Sequence, residues 1–388
     1  MKVSGRSHVP PFAVMQIIAQ ANARKAAGQD VINLCAGEPS AGASDVVRER
    51  AIEVLTSGDL GYTETLGVPR LREEIAQHYQ RWYGVDVDPR RIAITTGSSG
   101  GFMLTFLAAF DPGDRVALAR PGYPAYKNIL TALGIEVVEL DCGPDTRYQP
   151  TVSQLQQAYY EGGLDGLIVA SPANPTGTML PADDFAELAT WCADYAVRFI
   201  SDEIYHGITY GDDAVQESTA AAFTDSGAVV VSSFSKYWAM TGWRLGWLVL
   251  PDDLVAPADA LASNVALCPP ALSQHAAVAA FTEQGYAAAK ANVEQYRASR
   301  AFVVESFERL GWSVVAPADG AFYVYANIAH TGMDSVTWCA RLLDEAGVAM
   351  TPGTDFDSVN GREWVRMSFA SSVDVVRQAV ERIAAWAA

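Results

Sequence analysis

The pattern of apolar and polar positions changes character along the chain. Between about residues 90 and 232, five short apolar runs recur: RIAIT (91–95), RVALA (115–119), GLIVA (166–170), VRFIS (197–201) and AVVVS (228–232). Each is long enough for a buried strand and too short for a helix. Helical patterns separate several of them, for example PADDFAELATWCADYA (181–196), where Pro181 suits a first helical turn. Strand and helix in alternation predict an α/β domain with a mostly parallel sheet flanked by helices. Past about residue 285 the pattern differs. A helical stretch over about 286–310 is followed by short strand-like runs (WSVVAP, GAFYVYANI, VAMTPG, EWVRMSFA) and a closing amphipathic helix, VDVVRQAVERIAAWAA. This predicts a smaller α+β domain. The expected organisation is a large domain over 41–285 and a small one over 286–388. Residues 1–40 are too few to stand alone and are expected to pack on the small domain.

Composition narrows the partners. Half of the 388 residues are apolar, and the formal net charge is −18. So acidic a chain lacks the basic footprint of a nucleic-acid binder, and an anionic membrane would repel it. No run reaches the roughly 18 apolar residues of a membrane span. The five cysteines (Cys35, Cys142, Cys192, Cys268 and Cys339) are scattered and odd in number, and neither C-x-x-C nor H-x-x-x-H occurs. Neither a disulfide framework nor a metal site is expected. Nor is a signal peptide, because the N-terminal segment lacks an apolar block of about 7–15 residues. The expected setting is the cytoplasm, and the expected partners are small molecules.

Ligands of open α/β sheets bind beyond the carboxyl ends of the strands, and each of the five runs ends in notable residues. TGSSGG (96–101) opens a helical run, so Gly97, Ser98 and Ser99 would present backbone N–H groups to a phosphate, although a plain tight turn reads the same way. RPGYPAY places Tyr123 past the second run, as a plate for a flat ring or simply as a packed turn residue. SPANPTG (171–177) offers the amide of Asn174 from a turn. SDEIYHG offers Asp202 and Tyr205, which could equally be a helix cap and a core residue. SSFSKYWAMTGWRLGW (232–247) holds Ser233, Ser235, Lys236 and Arg244; Lys236 is one of only five lysines and sits in an apolar, glycine-rich setting. Separately each signal is modest. Jointly they supply a phosphate seat, a plate, an amide, a carboxylate, a phenol, a lysine and an arginine. One cofactor needs that set: pyridoxal 5′-phosphate, with its Schiff-base lysine, ring-nitrogen acid, phenolic-oxygen donors and phosphate clamp.

From LCAGEP (34–39) to VRMSFA (365–370) the chain resembles the pyridoxal-phosphate-dependent aminotransferases of fold type I, class I/II. The lysine signature is matched by Ser233, Ser235, Lys236, Gly242, Arg244 and Gly246, with NPTG and DEIY at the right spacing upstream. The resemblance implies a Schiff-base and proton-shuttle role for Lys236. It implies that Asp202 faces the ring nitrogen, that Asn174 and Tyr205 reach the phenolic oxygen, and that Tyr123 stacks on the ring. Gly97, Ser98, Ser99, Ser233, Ser235 and Arg244 are implied at the phosphate. Tyr62, in GYTETLGVPRLREEIA, is implied to reach the phosphate of a neighbouring subunit, hence a homodimer. Arg366 is implied at the substrate α-carboxylate, beside Gly37 and Asn174.

The implied reaction moves an amino group from an L-amino acid to a 2-oxo acid by a ping-pong mechanism. Two departures bear on the donor. SAGAS (40–44) replaces the acidic-aromatic stretch that usually follows GEP, and LASNVALCPP (261–270) lacks the arginine carried there by one aspartate-specific subgroup. Reading a second carboxylate needs a fixed cation. The expected donor is therefore neutral: alanine, valine or similar. Alternatives on the same scaffold are an aspartate aminotransferase and a C–S β-lyase, other lyase or decarboxylase.

Overall fold

A computed structural model describes residues 1–388 apart from 12, 59, 211–215 and 388. Its centre is a seven-stranded sheet of β1 (Ile92–Thr95), β2 (Arg115–Arg120), β3 (Glu136–Asp141), β4 (Gly166–Ala170), β5 (Arg198–Asp202), β6 (Val229–Ser233) and β7 (Gly246–Val249). The spatial order is β1-β7-β6-β5-β4-β2-β3, and only β7 runs against the others. All five expected strands form within a residue or so of their expected bounds.

Alternation along each strand explains why these runs are continuously apolar. Ile94, Ala117, Leu167, Phe199 and Val230 enter one core, while Ala93, Val116, Ile168, Ile200 and Val231 enter the other. Successive strand side chains point to opposite faces, so a sheet covered on both faces needs apolar residues throughout. Two strands of the sheet lie outside the five runs. β3 is an edge strand with Glu136, Glu139 and Asp141 among its six residues, and β7 is an apolar run that begins inside the lysine stretch.

The helix after β4 spans Ala182–Asp194, with Pro181 at its N-cap rather than inside its first turn. The later helix spans Glu283–Glu305, beginning and ending before the expected limits; its start is set by the Thr282 hydroxyl, which accepts from Gly285 N–H at 3.1 Å. It crosses position 285 without a break. Beyond it lies a three-stranded antiparallel sheet of β8 (Tyr323–Asn327), β9 (Thr351–Pro352) and β10 (Trp364–Ser368), in the order β9-β10-β8. The WSVVAP segment forms only a single bridge, Val315 to Ala326. VAMTPG divides in two: residues 348–349 pair in parallel with 32–33, and 351–352 then pair with 365–366. Helix Ala13–Ala26 lies against the same region through Ile17, Ile18 and Ala21, and its first N–H groups donate to the Asp355 carboxylate at 3.0 and 3.1 Å. The closing helix, Val373–Ala387, buries Val376, Ala379, Val380 and Ile383.

Candidate active site

The carboxyl ends of β1, β4, β5 and β6 converge on one place. β5 ends in Asp202, whose carboxyl is buried beneath the site. Burial pushes it up to about 6, against the donors that favour its charged form: the Tyr126 hydroxyl, through a short bond, and the Ile204 N–H at 3.1 Å. Tyr205 follows three residues later, buried, with its hydroxyl 2.6 Å from that of Tyr323.

Lys236 lies in the loop between β6 and β7. That loop is pinned at its base by the pairing of Ser233 with Gly246. The Lys236 amine donates to the Gly37 carbonyl at 2.5 Å and lies 5.9 Å from the Tyr205 ring centroid. Part of the side chain reaches the accessible surface, yet the amine itself is desolvated, and its pKa falls to about 8. Desolvation dominates; Glu38 and Asp202 oppose it, and Arg366 and Arg244 add to it.

The phosphate-type seat is built from three pieces. Helix Gly97–Ala109 begins at Gly97, whose backbone is left-handed (φ +67°), and no side chain caps its first turn. A methyl on Gly97 would collide with the Arg244 guanidinium, so loop and arginine are in contact only because residue 97 is glycine. A methyl on Gly246 would lie 2.8 Å from the Ser98 nitrogen. Ser233 and Ser235 join their hydroxyls at 2.7 Å beside this loop's base.

Arg366, on β10, is 3% exposed. It donates to Asn174 Oδ1 at 2.7 Å and to the Cys35 carbonyl at 2.7 Å, and its guanidinium lies 4.4 Å from the Tyr323 ring and 4.7 Å from that of Phe356. Its Nε is buried with no partner among the described residues. Because Asn174 accepts with its oxygen, its amide nitrogen is left to donate. Tyr123 caps the start of helix Pro124–Leu133, edge-on to Tyr126. The structure thus draws together Gly37, Asn174, Asp202, Tyr205, Lys236 and Arg366, with Tyr123 on the flank and Gly97, Ser98, Ser99, Ser233, Ser235 and Arg244 at the neighbouring seat. Tyr62 stands apart from them, 85% exposed on the surface.

Three aromatic neighbours escaped the sequence reading: Tyr126, Tyr323 and Phe356. Only Tyr126 carried a signal, since three residues from Tyr123 on a helix is one shared face. The donor set suits pyridoxal phosphate. It comprises a glycine-opened helix N-terminus beside an arginine, a buried carboxyl, donors on the other side, and a desolvated amine. A cavity of about 400 Å³ lies at Glu38, lined also by Ala41, Gly42, Ala43 and Trp243. Among the described residues no His, Cys, Asp or Glu group is placed to hold a metal ion, and no helix is long and apolar enough to cross a membrane.

Comparison with known proteins agrees with this geometry. A family model described as aminotransferase class I and II matches residues 29–383. The valine–pyruvate aminotransferase of Mycobacterium tuberculosis is 50% identical over 99% of this chain and 98% of its own length. A crystal structure of an aminotransferase from Mycobacterium tuberculosis superposes with a TM-score of 0.97 at 50% identity, covering 100% of this chain and 99% of that one. The aspartate aminotransferase of Thermus thermophilus with maleate superposes at 0.92 and 31% identity, covering 99% of each chain.

Proposed function

Because this chain belongs to the class I and II aminotransferase family, with the fold type I architecture, and is an amino-acid to 2-oxo-acid transaminase, we propose that its donor is a neutral L-amino acid, valine first, and its acceptor pyruvate or a similar 2-oxo acid. The family depends on pyridoxal phosphate. When bound, that cofactor supplies an aldehyde that condenses with amines and a ring that accepts the electron pair released at the substrate α-carbon.

In this reading the residues divide the work. Gly97, Ser98 and Ser99 N–H groups, Ser233, Ser235 and Arg244 hold the phosphate at a helix N-terminus. Tyr123 would cover the cofactor ring, Asn174 and Tyr205 would donate to its phenolic oxygen, and Asp202 would favour a protonated ring nitrogen, since a carboxylate there favours the charged form. Lys236 Nζ, pushed down to about 8, is partly a free amine near neutrality and could hold and move the substrate α-proton. Arg366 grips the α-carboxylate with its planar fork, using the face that Asn174 and Cys35 leave open. Gly37 keeps that space clear, because a side chain there would strike the Tyr323 hydroxyl. Tyr62 serves the phosphate site of a second copy, making the active species a homodimer in which each half-reaction runs in turn. The two-lobe division, 41–285 against 1–40 with 286–388, belongs to the same reading and is supported by the pairing of residues 32–33 with 348–349.

The observation that carries this reading is a desolvated amine with a buried carboxyl and a buried guanidinium both bearing on it electrostatically. Two features support a neutral donor. The cations bearing on Lys236, Arg244 and Arg366, are both assigned, and residues 261–270 carry no cation. The test is a panel of amino acids against the cofactor-loaded enzyme, following conversion to the amine form by absorbance. Valine and alanine should convert fastest. A tenfold preference for aspartate, about 1.4 kcal/mol, would sink the neutral-donor reading.

A further inference from the structure

Tyr126 touches two members of the site at once. Its hydroxyl donates a short bond to Oδ2 of Asp202, and its ring lies edge-on to Tyr123, with centroids 5.3 Å apart at 79°. The ring is fixed from behind by Phe102, 4.9 Å away, and by its place in the first turns of helix Pro124–Leu133. Tyr126 is itself buried. Burial and the adjacent carboxylate hold its phenol well above its ordinary value, so it stays protonated and can only donate to Asp202. The other oxygen of Asp202 accepts from Ile204 N–H. Each carboxylate oxygen has two lone pairs, so the two donors leave room for a third group.

We propose that Tyr126 is a positioning residue that keeps Asp202 ionised and aimed at the ring nitrogen, and through Asp202 keeps that nitrogen protonated. The proposal rests on the placement of Asp202 given above. Hydrogen bonds to a carboxylate favour its charged form and make it a weaker base. Without the phenol, Asp202 becomes the stronger base and draws the shared proton from the ring nitrogen to its own oxygen. The electron sink is weakened, and release of the α-proton slows. The other ionisable groups facing Asp202 are Lys236, whose charge favours the carboxylate, and Tyr123.

The test uses two changes of opposite sign. Tyr126→Phe keeps the packed ring and removes the donor. Site-specific 3-fluorotyrosine at position 126 keeps the donor and strengthens it. In the cofactor-free protein, the carboxylic-acid band of Asp202 in infrared titration, identified by its loss in Asp202→Asn, should move up by about one to two pH units in Tyr126→Phe and down in the fluorotyrosine chain. In the holoenzyme loaded with ring-¹⁵N pyridoxal phosphate, Tyr126→Phe should shift the nitrogen resonance toward the unprotonated position. With the best amino donor, kcat should fall about ten- to hundredfold with KM nearly unchanged, as expected for an interaction that acts on the chemical step.

An unmoved infrared midpoint and a wild-type nitrogen resonance would reduce Tyr126 to a packing residue, whatever happens to activity. If Asp202→Asn itself leaves the nitrogen resonance unchanged, the placement of Asp202 fails instead. If Asp202→Asn shifts it and Tyr126→Phe does not, only the role of Tyr126 falls. Should Tyr126→Phe fail to fold, the fluorotyrosine chain carries the test alone.

Discussion

Replacing Arg366 by alanine should damage every amino-acid substrate to the same degree. The side chain is 3% exposed, and its fork is aligned by Asn174 and the Cys35 carbonyl, so a carboxylate meeting it would leave water behind. Truncating one partner of such a desolvated pair costs about 2–5 kcal/mol. That is about 30- to 5,000-fold in kcat/KM. Arg366→Lys keeps the charge and loses the two parallel bonds, so it should recover only part of the deficit. The sharp assay compares valine with isobutylamine, the same amine without its carboxylate. The wild type should prefer valine strongly. In Arg366→Ala that preference should collapse, because valine loses its grip and isobutylamine has none to lose. Thermal melts run alongside would show how much stability goes with the two orphaned acceptors. If the preference for valine survives in a folded Arg366→Ala protein, another group reads the α-carboxylate and the assignment is wrong.

Borohydride treatment of the cofactor-loaded protein should fix the cofactor to the single peptide holding Lys236, and Lys236→Ala should keep weak cofactor binding while losing transamination; peptide mass mapping that finds label at Lys127 would overturn this. Mixing inactive Lys236→Ala chains with inactive Tyr62→Ala chains should restore part of the activity, because a mixed dimer contains one intact site; a fully active monomer in sedimentation would contradict it. Burial raises Glu203 to about 8 from 4.5, while Ala220 N–H and the Thr219 hydroxyl donate to it at 2.7 and 2.9 Å. The folded state therefore binds the extra proton, and this group's contribution to stability is complete below about pH 4.5 and lost as pH rises through 8. Denaturant titrations should show Glu203→Gln flattening that decline; an unchanged slope would mean that Glu203 is ionised in the folded protein.

What the sequence disclosed followed physical rules. The strands covered on both faces, β1, β2, β4, β5 and β6, announce themselves as apolar runs, and the chemistry sits directly beyond their ends. Asp202, Lys236 and Asn174 were legible for that reason. β3 was not, because an edge strand tolerates the charges of Glu136, Glu139 and Asp141. Nor was β7, whose first two residues, Gly246 and Trp247, read as the end of the lysine motif rather than as a strand. Tyr323 and Phe356 were illegible for a different reason. Aromatic residues fill most cores, and what sets these apart is a contact across the chain: Tyr323 meets Tyr205 over 118 residues, and Phe356 matters only because the Arg366 fork lies on its ring.

The splice at residues 348–352, where one strand run leaves residues 32–33 and joins β10, has a consequence for how the protein is made. Arg366 takes its carbonyl partner from Cys35, 331 positions earlier, and Lys236 takes its own from Gly37, 199 positions earlier. During synthesis residues 32–33 and the Cys35 carbonyl wait for their partners until residues 348–366 have left the ribosome. The central sheet can assemble in that interval from its own neighbouring strands. The substrate grip cannot, and contacts so distant along the chain form slowly. Competence to react thus follows assembly of the central sheet, and deleting either residues 32–37 or residues 348–352 should remove it.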